Sequence, residues 1–468
     1  MKGLFIAAIL LLSIAVWPDV GLMVNRAPSL AKSSAQAYDA RTDFAVLPLP
    51  TPLPNIGAAR GAGNSILDPD FGTRIYRLTD IDTSPGARSP GQQEWHMNCG
   101  GWGDSRVSNL DSTKIFICNG GASAFLLPFD PLTGKAGSAR LIPGIMGSPE
   151  WSKTEKDAAF GISQSKDPQI VRLDFSVSPP RTTLVVDLAE ARNCAEQFAG
   201  ASVWKEFSAA WDDRTFAMAV GSGSQGDAHL VYVWNATTGC QAYDTEDETV
   251  NGVKVRGTTP TDRFFVHSIK ISGDGQVVMI SPAGNTDLRR FWHVGTTEVD
   301  APESDVDYGH FAMGYSSLVN TTGRTSDGKW CKLGMGVRLL TALSSIDRVL
   351  TSEQCGNTLA KGDNHVSWNN DDSTDRRPFA TSTVTIPLGS PIMAPWQDEI
   401  LVFTRDGAVH REAHTFNSGK SNFFACQNAI GSISQDGKWF FFSSDWEGTL
   451  GTDNAGNQRC DDFAAALH

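Results

Sequence analysis

The sequence lacks the signatures of the common enzyme classes and is short of positive charge. It contains no nucleophile elbow, no HExxH and no P-loop, which argues against serine hydrolases, zincins and kinases. No CxxC motif or Cys/His cluster is present, so a structural zinc site is not expected. Lys and Arg number 39 against 52 Asp and Glu, a net charge of −13. That balance repels phosphate backbones and anionic lipid over any broad face. Nucleic acid is therefore not an expected partner, nor is a membrane beyond a possible N-terminal anchor, although a local pocket of Arg and His can still take an anion. The long apolar run, Leu4 to Trp17, is too short to span a bilayer comfortably.

What the sequence does contain is repetition. Residues 421–450, SNFFACQNAIGSISQDGKWFFFSSDWEGTL, show the unit most clearly. A polar opening at Gln427 and Asn428 leads into a short alternating run, a Ser-Gln-Asp-Gly turn at 434–437 and a solid apolar strand. Related pieces stand upstream: HSIKISGDGQVVMIS from His267, EFSAAWDDRTFAMAV from Glu206, DSRVSNLDSTKIFIC from Asp104 and, more loosely, NHVSWNNDD from Asn364. A second signature, an aromatic residue, Asp or Asn, two residues, Thr and Gly, closes the first and third units as FDPLTGK and WNATTGC. Units of about 45 to 60 residues, each reading as four short strands, fit propeller blades better than solenoid coils. The expected fold is all-β, a seven-bladed β-propeller spanning residues 67–468. An eight-bladed ring or a pair of β-sandwiches is the alternative. TRIYRLTD at 73–80 has no hairpin partner nearby and is the expected N-terminal strand that closes the last blade. Little helix is expected beyond a turn or two near Leu188 to Phe198.

Lys2 and the run after it read as an export signal over residues 1–37, ending at Ala35-Gln36-Ala37, or as an uncleaved anchor. Residues 38–66 form a Pro/Gly/Ala-rich linker, with Pro48, Pro50, Pro52 and Pro54 favouring an extended spacer. The mature protein is thus expected to be secreted or periplasmic. In that setting the eight cysteines suggest disulfides. Their order suggests Cys99 with Cys118, Cys194 with Cys240, Cys331 with Cys355 and Cys426 with Cys460, among the many pairings that eight cysteines allow.

Aligned on the turn Asp, the openings of the innermost strands are polar: Asp104, Glu206, His267, His310, Asn364-His365 and Gln427-Asn428. In a propeller such residues converge on a shared channel mouth, where a glycan or other small ligand, or a protein partner, would bind. His267, His310, His365 and Gln427 offer three imidazoles and an amide oxygen, a ligand set for manganese or iron. The plainer reading is that they hydrate the channel or tie blades together. NNDDSTD at 369–375 has the oxygens for calcium but lacks the Gly and terminal Glu of an EF-hand loop. His96 in a Trp- and Gly-rich loop, Glu206, His414 and Asn417 are candidate substrate-binding residues. For His96 the competing reading is a loop pinned by Cys99, and for His414 it is packing against Phe416.

The Ser-x-Asp-Gly-Lys-Trp hairpins resemble those of TolB-type propellers. The His-rich mouth with Gln427 is similar in composition to the oligogalacturonate lyases, exported seven-bladed propellers with a His/Gln metal site. Residues 413–450 look most like uncharacterised exported bacterial propellers. The lyases' close cluster of Gln and His on one inner strand is absent here, where the histidines are spread over several blades. The resemblance implies a polysaccharide lyase acting on uronate-containing glycans by β-elimination. Such a reaction needs a cation to stabilise the enolate-like intermediate and a base near C5. The metal, or Arg376 and Arg377, would supply the first, and His310 or Tyr315 the second. A non-catalytic propeller binding a glycan or protein is the other reading, because fold alone does not fix function.

Overall fold

The computed structural model describes residues 40–83, 95–96, 106–119, 123–163, 168–194, 203–221, 228–256, 264–282, 289–300, 310–321, 326–327, 329, 334–357, 362–369, 372–385, 388–420, 426, 428–452, 456 and 458–468. Their strands form seven antiparallel sheets of four to six strands each, one per blade. The repeating hairpin is built by its turn. In blade four Ser272 Oγ donates to Asp274 Oδ1 at 2.6 Å, and the amides of Gln276 and Val277 return to Asp274 and Ser272 at 3.0 Å. Blade seven repeats this with Ser434, Asp436, Lys438 and Trp439 at 2.7, 3.2 and 3.0 Å. Gly275 and Gly437 sit at φ 71° and 74°, which a side chain would strain.

Strands in the middle of a blade are covered on both faces by neighbouring blades, so they are apolar throughout instead of alternating. Thr215–Gly221 and Trp439–Ser444 are buried at every position. The first strands of neighbouring blades touch one another, among them Val203–Ala209 with Val266–Ile271 and Phe311–Met313 with Gly362–Ser367, which places them innermost. Backbone bonds continue this contact around the ring, from the Trp211 amide to Gly273 and from the Gly273 amide to Gly314, each 2.9 Å.

The ring closes as the sequence suggested. Arg74–Arg77 pairs with Asp461–Ala466, and Ser65–Leu67 adds outside it. A buried charge cluster locks the closure. The Asp461 carboxylate takes Arg77 at 2.5 Å and Arg459 at 2.6 Å, all three side chains being fully buried. Residues 40–66, read as a spacer, lie against blades six and seven. The Trp446 indole donates to Pro54 O at 2.9 Å, Phe44 stacks on Trp396 at 5.6 Å, and Arg411 bridges Asp43 and Glu399 at 2.7 and 2.6 Å. A Pro-rich chain makes no ladder of its own, so its carbonyls and apolar rings are available for this docking.

Two of the expected disulfides are present, Cys194–Cys240 and Cys426–Cys460, with Cα–Cα distances of 5.7 and 6.0 Å. Cys118 is also disulfide-bonded, while its expected partner Cys99, together with Cys331 and the Cys355 side chain, lies outside the described residues. The helical turns expected from Leu188 do not form through Cys194, where the chain makes turns only. The α-helix among the described residues is Ser352–Asn357. None of their helices is long and apolar enough to cross a membrane.

Candidate functional site at the turn end of the channel

Each innermost strand has a leading end, where the chain arrives from the previous blade, and a turn end. Chemistry was expected at the leading ends. The charged residues that converge lie at the turn ends, where six consecutive blades line a narrow opening of about 20 Å³, room for little more than one water. Glu150 lies near the end of Ile145–Trp151, Lys270 near the end of Val266–Ile271, Arg106 before the second strand of blade one, and Trp368 and Asn369 just after Gly362–Ser367.

Glu150 is buried and organises this end. Lys270 Nζ reaches its Oε1 at 3.1 Å, the Ala209 amide donates to Oε2 at 2.9 Å, and Arg106 Nε lies 3.9 Å from Oε2. Burial alone would raise the Glu150 pKa, but the charges of Lys270 and Arg106 and the Ala209 N–H outweigh it and hold the carboxyl below its usual range. Arg106 is fixed further by Ala209 O at 2.6 Å and Trp151 O at 3.3 Å. Lys153 crosses the opening to Asn369 Oδ1 at 2.7 Å and lies 4.8 Å from the centre of the Trp211 ring. Among the described residues the Asn369 side-chain nitrogen is buried without an acceptor, an arrangement that costs free energy unless a ligand or water accepts from it. Among the described residues three cations therefore face one carboxylate, in a chain that is acidic as a whole.

Tyr315 belongs to this end too. Its ring lies 5.3 Å from Trp211, and its amide donates to Asp375 at 2.6 Å, as the Ser316 amide does at 2.7 Å. Burial raises the Asp375 pKa against those hydrogen bonds. Asp375 thus ties blade five to blade six, and NNDDSTD is a structural turn whose residues 370 and 371 lie outside the described set. Arg376 and Arg377 are exposed on that turn. The Arg377 carbonyl accepts the Trp368 indole at 3.0 Å, and Arg376 donates its amide to Asp372 at 2.9 Å.

At the leading ends, His310 and His365 come together, their rings stacked with centroids 3.9 Å apart. His310 Nδ1 is hydrogen-bonded to the Asn364 carbonyl. Stacked imidazoles face each other, whereas a metal takes each imidazole through an in-plane nitrogen, so this pair as placed does not offer two nitrogens to one ion. His267 sits at a β-bulge between Val266 and Ser268. Glu206 follows the comparable bulge in Val203–Ala209. Gln427, Asp104 and the His96 side chain lie outside the described residues; the His96 backbone pairs with Cys118. His267, His310 and His365 do not bring ligand atoms within 4.8 Å of one another. Among the described residues one group does so and can hold a metal ion, Asp68, Asp70 and His414.

That group lies at the rim. His414 ends Val409–His414, the outermost strand of blade six, and is fully buried. Its Nδ1 is 3.2 Å from Asp68 Oδ2, and its amide donates to the same oxygen at 2.8 Å. Burial lowers the His414 pKa, but the hydrogen bond and charge of Asp68 more than offset it, so the imidazole is held above its usual value. The Phe416 ring packs at 5.5 Å. Asn417 is buried, its amide spanning Gly419 N at 2.8 Å and the Cys426 carbonyl.

Sequence reading missed Arg106, Glu150, Lys153, Lys270 and Asn369. The available signal was a lysine at position 270 inside the buried run Val266–Ile271, because a strand covered on both faces tolerates a charge only opposite a partner.

The molecule is a seven-bladed β-propeller with a cationic opening at the turn end of its channel. An oligogalacturonate lyase from Vibrio parahaemolyticus shares this fold at a TM-score of 0.51 and 11% identity, over 86% of this chain and 96% of that one. A second oligogalacturonate lyase, solved with manganese, aligns at 0.40 and 12% over 86% and 96% of the two chains. A chain of the mitotic checkpoint complex aligns at 0.40 and 9% over 83% and 97%. The first of these establishes a common fold, and at 11% identity it says nothing about activity. No protein-family model matches the chain, and no curated protein matches its sequence.

Proposed function

We propose that this propeller takes a uronate-bearing glycan across the turn-end face of its channel, the sugar lying outside the narrow opening with its carboxylate turned to the mouth, and cleaves it as a polysaccharide lyase. The observation that carries the reading is the charge set: among the described residues, Arg106, Lys153 and Lys270 stand around a single carboxylate, with no acceptor for the Asn369 amide nitrogen. A carboxylated sugar offers this set a second anion, one rich in acceptors. Trp211 offers a ring face beside Lys153.

In the elimination, Lys153 and Arg106 hold the uronate carboxylate and stabilise the charge that builds on it. Tyr315, once its own proton has passed to solvent, takes the proton from C5. The C5–H electron pair forms the C4=C5 double bond, the C4–O bond breaks, and the leaving oxygen receives the proton from Tyr315. A metal held by Asp68, Asp70 and His414 would lie at the rim of blade six, so no step is routed through one. All-oxygen and imidazole ligands there suit manganese better than a thiophilic ion. The disulfides support export to an oxidising compartment, the periplasm or the medium, with residues 1–37 as the signal.

The test is ultraviolet absorbance of unsaturated product from polyuronates, with wild type beside Tyr315→Phe and Lys153→Ala. Unsaturated product lost in Tyr315→Phe while binding persists supports the lyase. Binding without product from any polyuronate leaves a glycan-binding propeller, and no binding of an anionic glycan overturns both.

A further inference from the structure

A second cavity, of about 300 Å³, opens away from the channel between blades six and seven. That is the lower end of the size range of small-molecule sites. One wall is apolar, from Leu49 of the docked N-terminal segment and Val384 and Ile392 of blade six; the others carry Asp398, Lys420 and Glu447. Charge of both signs beside an apolar wall is an unusual lining, and the side chains are not satisfied by one another. Glu447 accepts no hydrogen bond and makes no ion pair through its carboxylate among the described residues, and Lys420 Nζ has no carboxylate within 4.0 Å there. Asp398 is 5% exposed.

Glu447 is held at the cavity by its backbone. Its amide donates to Phe416 O at 2.8 Å, and Trp446 and Glu447 adopt φ of 50° and 53°, a region that costs a residue with a side chain. Burial pushes the Glu447 carboxyl up to about 7, and the carboxylates of Asp445 and Asp398 add to the rise while Lys420 opposes it. Asp445 is engaged by the Ser418 amide at 2.9 Å and Gln458 at 2.7 Å, and Asp398 and Glu447 line the cavity.

We propose that this cavity binds a small amino acid-like zwitterion, with its ammonium at Asp398 and Glu447, its carboxylate at Lys420 and its apolar side chain against Leu49, Val384 and Ile392. The ammonium favours ionised Glu447, so binding strengthens as pH rises through about 7 and releases a proton.

The test is calorimetric titration of the full chain with L-leucine, with isoamylamine, which lacks the carboxylate, and with isocaproate, which lacks the amine, at about pH 6 and pH 8. Leucine is expected to bind about tenfold more tightly than either analogue, the difference one charge-assisted contact makes, and more tightly at the higher pH. Glu447→Gln should weaken leucine and flatten its pH dependence. Lys420→Ala, at an exposed position, should reduce leucine to the affinity of isoamylamine without changing isoamylamine itself. Lys153→Ala in the channel should leave all three unchanged, which keeps this site separate from the glycan site. No heat from leucine with the folded wild type, isocaproate binding as well as leucine, or a pH dependence that survives Glu447→Gln would overturn the proposal.

Discussion

The two ends of the inner strands are made by one repeat and do different things. At the leading ends the polar residues include three histidines, and the two that meet, His310 and His365, stack on one another while His310 bonds the neighbouring backbone. At the turn ends the residues come from six blades and leave cationic charge and an amide donor facing the axis. A row of similar residues at similar repeat positions is thus weaker evidence of a site than unlike residues that complement one another. What separates the two ends is compensation. The stacked pair joins two adjacent blades, whereas the turn end is balanced, among the described residues, by a single buried carboxylate.

The sharpest way to break this contrast is to remove that carboxylate. Glu150→Ala leaves Lys270 and Arg106 buried without their anion and should destabilise the fold by about 3 to 5 kcal/mol, read by denaturant unfolding. Next in size is the ligand effect. Lys153→Ala should weaken uronate binding about tenfold or more with an unchanged unfolding midpoint, because Lys153 contacts Asn369 and Trp211 and does not contact Glu150. A change in midpoint equal to the loss in binding would put Lys153 in the fold and not in the site.

The depressed pKa of Glu150 makes a smaller, directional prediction. Its stabilising contribution is fully present above the ordinary carboxylate range and is lost as pH falls through the lowered native value. Glu150→Gln should therefore remove part of the acid-side slope of stability while leaving the neutral-pH slope alone. The smallest effect is expected at the opposite end. His310→Ala should cost about 1 kcal/mol or less, a hydrogen bond and a ring contact, and leave uronate affinity within about twofold. If His310→Ala abolishes binding while Lys153→Ala does not, the assignment of the two ends is reversed.

Much of the fold was legible because its repeats are local. The Ser-x-Asp-Gly turns and the apolar strands that follow them are defined by residues four or five apart, and the closing strand stood out in sequence as a strand with no hairpin partner. The Cys194–Cys240 and Cys426–Cys460 pairs followed from order along the chain. The candidate site was less legible, since Arg106, Glu150 and Lys270 lie in three different blades and each looks ordinary in its own segment. Only Lys270, a charge inside a buried strand, announced a partner, and that partner is 120 residues away. Tyr315 was named with His310 as a candidate base, and the two lie at opposite ends of one short strand, which is a matter of which end the chain turns. Spacing along the sequence does not distinguish the two ends without the blade register.

The most direct test of the central claim is calorimetric titration of a uronate oligomer against its carboxyl-reduced neutral counterpart, at low and high salt, with wild type and Lys153→Ala. The account predicts binding of the uronate alone, weakened by salt and weakened further by Lys153→Ala. Equal binding of the neutral oligomer, or uronate binding indifferent to both salt and Lys153, would contradict it.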